Sequence, residues 1–173
     1  MLAGVARPLI FVDIDGVLIP LRARSAGARQ LTGGVAAVAD HGNPLLERLD
    51  PADGRRLLAL PAEPVWASTW MAEANDVVAP RLGLPALPVV DWPEDDIEPL
   101  RGLHWKTVPL TRWATGRPFV WLDDETTDVD RYWVAVHHPQ PAPLHRVDPN
   151  LGLTDSDLAA VQEVAAGRAL PQR

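Results

Sequence analysis

The chain has 173 residues, 47% of them hydrophobic, and a formal net charge of −7. This length fits a single domain over residues 1–173, and this composition excludes a disordered or fibrous protein. The absence of cysteine excludes disulfides, thiolate catalysis and cysteine-ligated metal sites. The negative net charge argues against a protein whose main function is to bind a polyanion along its length.

The first predicted element is a buried strand over residues 8–12, a short apolar run that ends abruptly at Asp13. Residues 16–43 follow as a predicted loop or flap. This segment has no acidic residue up to position 39, and its basic residues are Arg22, Arg24 and Arg29. Because it comes directly after the first strand, we expect it to lie over the same sheet edge as Asp13. The three arginines either steer anionic substrates toward Asp13 or belong to a solvated flap.

The remaining elements alternate between helices and strands. In chain order they are helices over 45–49 and 51–60, a strand over 64–67, a helix over 72–82, a weaker strand over 87–90, a helix over 104–113, a strand over 118–122, weaker strands over 132–136 and 145–147, and a helix over 158–166 that Gly167 ends. This alternation predicts an α/β fold with a mostly parallel central sheet and helices on both faces. The tail over residues 171–173 is predicted to be frayed.

No apolar run approaches the roughly 20 residues that span a bilayer, and the start of the chain lacks the layout of a signal peptide. We therefore expect a cytoplasmic protein without a membrane partner. The sequence makes no prediction about oligomeric state.

Polar residues follow the three strongest strands, at Asp13, Ser68 and Asp123. In parallel sheets the functional residues gather beyond the carboxyl ends of the strands. Asp13 and Asp15 lie two residues apart where a strand gives way to a turn that Gly16 permits, and Gly16 is a candidate substrate contact there. One carboxylate can attack an electrophile while the other transfers protons, and together they offer oxygen ligands to Mg²⁺. The alternative is a pair of aspartates that only cap the turn.

The segment Phe11-Val-Asp-Ile-Asp-Gly-Val-Leu18 resembles the first motif of the haloacid dehalogenase-like (HAD) superfamily, an apolar strand followed by Asp-x-Asp-Gly. The resemblance implies a Rossmann-like fold in which Asp13 forms an aspartyl-phosphate. It also implies that Asp15 protonates the leaving group and then activates water. Members with dehalogenase activity lack the second Asp, so Asp15 indicates phosphate-ester hydrolysis.

Three further motifs of that superfamily occur in order. Ser68, or its neighbour Thr69, fits the second motif, whose hydroxyl binds the phosphoryl group; Lys106, the only lysine in the chain, fits the third, which neutralises the nucleophile. Asp123 and Asp124 fit the acidic fourth motif. The resemblance implies Mg²⁺ held by Asp13, by the backbone carbonyl of Asp15 and by one residue of this pair. Asp124 is the favoured ligand, with Asp123 bracing Lys106 or a metal-bound water.

Each of these residues also has a structural alternative. Ser68 can be a turn residue, Lys106 a solvent-exposed lysine, and Glu125 and Asp128 are better explained as a solvated acidic turn than as ligands. Tryptophans flank the motifs, at Trp66, Trp70, Trp105 and Trp121. Packing is the expected role for each, although Trp70 could stack on a base or sugar.

Residues 16–67 are too few to hold a large cap domain between the first two motifs, so an open site is expected. The chain resembles small capless HAD proteins, some of which are domains of RNA-repair proteins. The predicted function is a Mg²⁺-dependent phosphatase acting on a small phosphorylated metabolite or nucleotide. The alternatives are a phosphatase acting on nucleic-acid ends and a non-catalytic HAD-like module that binds or regulates.

Overall fold

The computed structural model describes residues 7–23, 42–92 and 102–165. Its centre is a sheet of four strands, β1 (Leu9–Val12), β2 (Glu63–Trp66), β3 (Phe119–Asp123) and β4 (Leu144–Arg146). The strands lie in the order β2-β1-β3-β4, and every neighbouring pair is parallel. The predicted parallel sheet is therefore confirmed, and the carboxyl ends of all four strands lie at one edge.

Helices cover both faces of the sheet, as predicted. Ile10 and Val12 belong to one buried cluster, whereas Leu9 and Phe11 belong to a second cluster on the opposite face. The first face is covered by α1 (Pro51–Ala59), α2 (Ala79–Leu82) and α5 (Asp155–Ala165), and the second by α3 (Thr107–Trp113) and α4 (Asp128–His137). Because β1 is buried on both faces, its sequence is a continuous apolar run.

The two helices that precede β2 begin at side-chain caps. Asn43 accepts a hydrogen bond from the backbone N–H of Leu45 and starts a short 3₁₀ helix, Pro44–Arg48, which corresponds to the predicted helix over 45–49. Asp50 caps α1 in the same way. A Cβ on Gly54 would lie 1.9 Å from the carbonyl oxygen of Leu82, so this glycine lets α1 and α2 pack with their backbones in contact.

The predicted helix over 72–82 contains a π-helical stretch, Ala74–Val78, directly before α2. Pro80 has no N–H to donate to the preceding turn, and the wider π turn forms just before it. There the N–H of Ala79 bonds to the carbonyl of Ala74, five residues back. Gly83 ends the helix with a φ of 66°, as predicted.

The strand predicted over residues 132–136 is wrong, because these residues lie inside α4. A capping box starts this helix: the Thr127 hydroxyl accepts from the N–H of Asp130, and the Asp130 carboxylate accepts from the N–H of Thr127. The weaker strand over 145–147 corresponds to β4. The weaker strand over 87–90 is reduced to one parallel bridge, between Val89 and Trp66.

Several predictions fall outside the described residues: most of the segment 16–43 with Arg24 and Arg29, the end of the last helix at Gly167, and the tail 171–173. In the described start of that segment, Val17, Leu18 and Ile19 are buried in the first cluster, so this part belongs to the core. Arg22 is exposed. No helix within the described ranges is long and apolar enough to cross a bilayer.

Candidate active site

The candidate site lies at the carboxyl edge of the sheet. Asp13 directly follows β1, Ser68 comes two residues after β2, and Asp123 is the last residue of β3. The backbone keeps these ends in register, since the N–H of Asp13 bonds to the carbonyl of Leu122 at 3.0 Å. The strand ends thus bring together residues that are far apart in the sequence.

Asp13 is a buried carboxylate with both oxygens engaged. Its Oδ1 accepts a 2.8 Å hydrogen bond from the backbone N–H of Ile14, and its Oδ2 accepts a 2.6 Å bond from Lys106 Nζ. Burial raises the pKa of Asp13 to about 7, and repulsion from Asp123 acts in the same direction, while Lys106 opposes both. Such a raised pKa at a sheet edge is common at functional carboxylates.

Lys106 connects two carboxylates. Its ammonium lies 2.6 Å from Asp13 Oδ2 and 2.9 Å from Asp123 Oδ2, and the residue is only 3% exposed. Burial acts to lower the pKa of Lys106, but attraction to the two carboxylates outweighs it, so the net pKa is raised and the lysine carries its charge. The alternative of a solvent-exposed lysine does not fit this position.

Asp123 and Asp124 are adjacent but lie in different surroundings. Asp123 is fully buried; its Oδ2 accepts from Lys106 and from the Trp121 indole, and its Oδ1 accepts from the backbone N–H of Glu125. Asp124 is half-buried, and burial, followed by repulsion from Asp123, raises its pKa. Asp123 is therefore placed to brace Lys106, whereas Asp124 faces the turn after Asp13.

Gly16 allows that approach. A Cβ on this residue would lie 2.5 Å from the carboxyl carbon of Asp124, and the backbone φ of 74° also favours glycine. The turn after β1 and the end of β3 therefore touch through Gly16 and the Asp124 carboxylate. A direct contact of Gly16 with substrate stays a prediction.

Three carboxylates form a candidate metal site. One oxygen each from Asp13, Asp123 and Asp124 lie within 4.8 Å of one another. Carboxylate oxygens are the donors that Mg²⁺ prefers, so this set fits that ion. Asp123 is fully buried and holds Lys106, whereas Asp124 is only half-buried and is more accessible to an ion, so Asp124 is the better-placed ligand of this pair. The ligand role of the Asp15 carbonyl stays a prediction.

Asp15 and the second-motif residues lie beside this cluster. Asp15 is exposed, and its Oδ2 accepts a 2.9 Å hydrogen bond from the Trp70 indole. Ser68 is 1% exposed, and its carbonyl accepts a 3.0 Å bond from the Trp92 indole. Thr69 is exposed. The choice of Ser68 over Thr69 as the hydroxyl that binds the phosphoryl group stays a prediction.

Asp130 was missed by the sequence analysis, although it organises the segment that carries Lys106. It is fully buried and accepts hydrogen bonds from the backbone N–H of His104 at 2.7 Å, from the Thr107 hydroxyl at 2.6 Å and from Thr127. Burial acts to raise its pKa, but these hydrogen bonds outweigh it and lower the pKa. The pattern Thr127-x-x-Asp130 carried the signal for the cap, but nothing local indicated the contacts with His104 and Thr107.

Two other contacts were also unforeseen. The Arg146 guanidinium donates to the carbonyl of Asp124 at 2.9 Å, which places an exposed cation next to the fourth motif. His104 Nε2 lies 3.1 Å from Glu125 Oε2, and these two residues with Asp123 form a second group of neighbouring donors. Trp66 and Trp121 are buried, as expected for packing roles, whereas Trp105 is 39% exposed.

The comparisons with known proteins agree with this geometry. No curated protein and no solved structure matches the chain. A family model described as "HAD domain in Swiss Army Knife RNA repair proteins" matches residues 9–158, and thus most of the chain and all four motifs. The chain therefore belongs to the HAD superfamily, in the family of HAD domains found in Swiss Army Knife RNA repair proteins.

Proposed function

We propose that this protein is a Mg²⁺-dependent phosphatase that hydrolyses phosphomonoesters through an aspartyl-phosphate on Asp13. The observation that carries the proposal is the buried contact of Asp13 with Lys106 at 2.6 Å, next to Asp123 and Asp124 at the carboxyl edge of the sheet. A carboxylate held by a lysine and flanked by further carboxylates suits nucleophilic attack on phosphorus.

In the first step, an oxygen of Asp13 attacks the phosphorus and the bond to the leaving-group oxygen breaks. Asp15 gives its proton to that oxygen, so that the product leaves as an alcohol. Water then attacks the phosphorus of the aspartyl-phosphate while Asp15 takes its proton. The phosphorus–oxygen bond to Asp13 breaks, which releases inorganic phosphate and restores the free carboxylate of Asp13.

Lys106 and Ser68 would stabilise the transferring group. The Lys106 ammonium already touches Asp13 and would neutralise the charge that gathers on the phosphoryl oxygens. The Ser68 hydroxyl would donate to one of those oxygens. When bound, Mg²⁺ would neutralise phosphate charge and align the group for in-line attack, held by Asp13, Asp124 and the Asp15 carbonyl.

Two substrate classes fit this chemistry. The proposed chemistry needs only a terminal phosphomonoester, which a small phosphorylated metabolite or nucleotide carries, and an open site without a large cap also admits bulkier substrates. The description of the matching family favours a second class, the phosphorylated end of a nucleic acid. In both classes the phosphomonoester is terminal and can reach the sheet edge, so the proposed chemistry is the same.

A phosphatase screen tests the proposal. Sugar phosphates, nucleoside monophosphates and oligonucleotides phosphorylated at the 5′ or 3′ end are incubated with the protein and Mg²⁺, with Asp13→Asn and a chelator as controls. We expect phosphate release that requires both Asp13 and Mg²⁺. If wild type were as inactive as Asp13→Asn on every substrate, the proposal would fail and a non-catalytic binding module would be the better account.

A further inference from the structure

Trp70 is half-buried and packs against the first core cluster, and its indole N–H donates to Asp15 Oδ2 at 2.9 Å. The backbone N–H of Trp70 also lies 3.4 Å from the Ser68 hydroxyl oxygen. The tryptophan therefore ties the second motif to the side chain of the first motif's second aspartate.

We propose that Trp70 is a positioning residue that fixes the orientation of the Asp15 carboxyl group for proton transfer. The inference rests on the proposed function, in which Asp15 is the acid and base. It goes further by assigning a different role to each carboxyl oxygen of Asp15: Oδ2 accepts from Trp70, and Oδ1 carries the proton.

The argument is one of orientation. An exposed aspartate rotates freely about its side-chain bonds, and a proton is transferred efficiently only within hydrogen-bond reach of its acceptor. The indole N–H can only donate, so it occupies Oδ2 as an acceptor and leaves Oδ1 to carry the proton. In the first step the O–H bond at Oδ1 breaks and a new O–H bond forms on the leaving-group oxygen. The carboxylate that results keeps its hydrogen bond from Trp70.

Packing makes Trp70 suitable for this task. Its ring is anchored against the core, so the donor is held by the fold and not by a mobile side chain. Phenylalanine at this position would retain most of the packing and lose only the donor. Trp70→Phe therefore separates the hydrogen bond from the bulk of the ring.

The test compares two substrates that differ in their need for an acid. An alkyl phosphate has a basic leaving group that must be protonated, whereas p-nitrophenyl phosphate has a leaving group that departs without a proton. Because kcat/KM reports on transfer to Asp13, Trp70→Phe should lower kcat/KM about tenfold for the alkyl phosphate, with a much smaller loss for the aryl phosphate. Asp15→Asn should show the same selectivity with a larger loss, and Trp70→Phe should add little to it.

Trp113→Phe is the matched control. Trp113 is a half-buried tryptophan at the end of α3 whose ring packs on Phe11, and its replacement should affect both substrates equally. An equal loss on both substrates in Trp70→Phe, or no loss, would overturn the inference while leaving the phosphatase proposal intact. A wild-type protein inactive on both substrates would remove both.

A second measurement does not depend on the folding of Trp70→Phe. In Asp15→Ala, one of the indole N–H resonances of the seven tryptophans should move upfield, because its acceptor is gone. An indole spectrum identical to that of wild type would overturn the contact itself.

Discussion

Lys106 compensates two buried carboxylates that would otherwise repel each other. Its ammonium contacts one oxygen each of Asp13 and Asp123, and all three side chains are almost completely shielded from water. Burying charges is unfavourable unless they are paired and hydrogen-bonded, and here every charge has a partner. The same ammonium is positioned to balance a phosphoryl group on Asp13.

Replacing Lys106 by Met should therefore harm both stability and activity. Without the ammonium, two buried carboxylates face each other, and we expect the free energy of unfolding to fall by about 3 kcal/mol and kcat/KM by at least about a hundredfold. Urea unfolding and steady-state kinetics measure the two effects. Arg112→Met removes an exposed cation from the end of α3 and should change stability by less than about 0.5 kcal/mol. Equal behaviour of the two variants would contradict the role of Lys106.

Gly16 offers a second test at the residue scale. In Gly16→Ala the new Cβ would lie 2.5 Å from the carboxyl carbon of Asp124, so this carboxylate must move away from the turn after Asp13. We expect the rise in melting temperature caused by Mg²⁺, and the Mg²⁺-dependent activity, to be largely lost.

Gly102→Ala separates this clash from backbone strain. Gly102 also has a positive φ, 84°, but a Cβ there would meet nothing closer than a Val129 methyl carbon at 3.9 Å. Both variants should lose about 1 kcal/mol of stability, because alanine is strained at a positive φ. If Gly16→Ala kept its response to Mg²⁺ as Gly102→Ala does, Asp124 would not be the ligand that the geometry favours.

At the level of elements, α4 and the segment before α3 are joined by Asp130. Its carboxylate caps α4 through Thr127 and also accepts from His104 and Thr107, which flank Lys106. One buried side chain therefore fixes both the start of a helix and the placement of Lys106.

Asp130→Ala should lower the free energy of unfolding at pH 7 by about 2–4 kcal/mol, because several buried donors lose their acceptor. The pKa of Asp130 is lower in the folded protein, so its contribution is present above its ordinary pKa near 3.9 and is lost as the pH falls through the lowered value. The stability difference from wild type should thus shrink in acid, which denaturant titrations at several pH values measure. As a control, Asp128→Ala removes an exposed aspartate of the same helix turn and should change the free energy of unfolding little. If Asp130→Ala had a similarly small effect, this account would be contradicted.

The elements also show where sequence reasoning works. Thr154-x-x-Asp157 and Thr127-x-x-Asp130 are the same capping pattern, and both start helices. The first stands directly before the predicted helix over 158–166, whereas after the second the β-branched and aromatic residues of 132–136 favour a strand in the sequence. The strand ends at Asp13, Ser68 and Asp123 were predictable because a buried parallel strand is a continuous apolar run.

Other features depend on tertiary contacts that no local pattern encodes. The acceptors of the Trp70 and Trp92 indoles, Asp15 and the Ser68 carbonyl, come from other parts of the site, and the different surroundings of Asp123 and Asp124 follow from how β3 ends against Lys106 and Gly16. The sequence predicted which residues meet, while their hydrogen-bond partners required the fold.

At the scale of the whole molecule, the net charge of −7 constrains how a nucleic-acid substrate would bind. An acidic protein attracts a polyanion only where local cations face it, and the proposed site contacts a single terminal phosphate through Lys106. A substrate held mainly by its end would release few counterions on binding.

This view predicts a shallow salt dependence. For a single-stranded oligonucleotide with a terminal phosphate, log kcat/KM should fall against log salt concentration with a slope of magnitude about 1–2. Oligonucleotides of different lengths should give the same slope. A steep slope that grows with length would indicate that the protein follows the backbone over many phosphates.

The central claim is that Asp13 receives the phosphoryl group, and a phosphate mimic tests it most directly. The measurement is a crystal structure of the protein with Mg²⁺ and beryllium fluoride, which forms a stable analogue of an aspartyl-phosphate. We predict beryllium bonded to a carboxylate oxygen of Asp13, with Lys106 against the fluorides and Mg²⁺ between Asp13 and Asp124. Beryllium fluoride bound to another residue, with Asp13 unmodified, would contradict the assignment of the nucleophile.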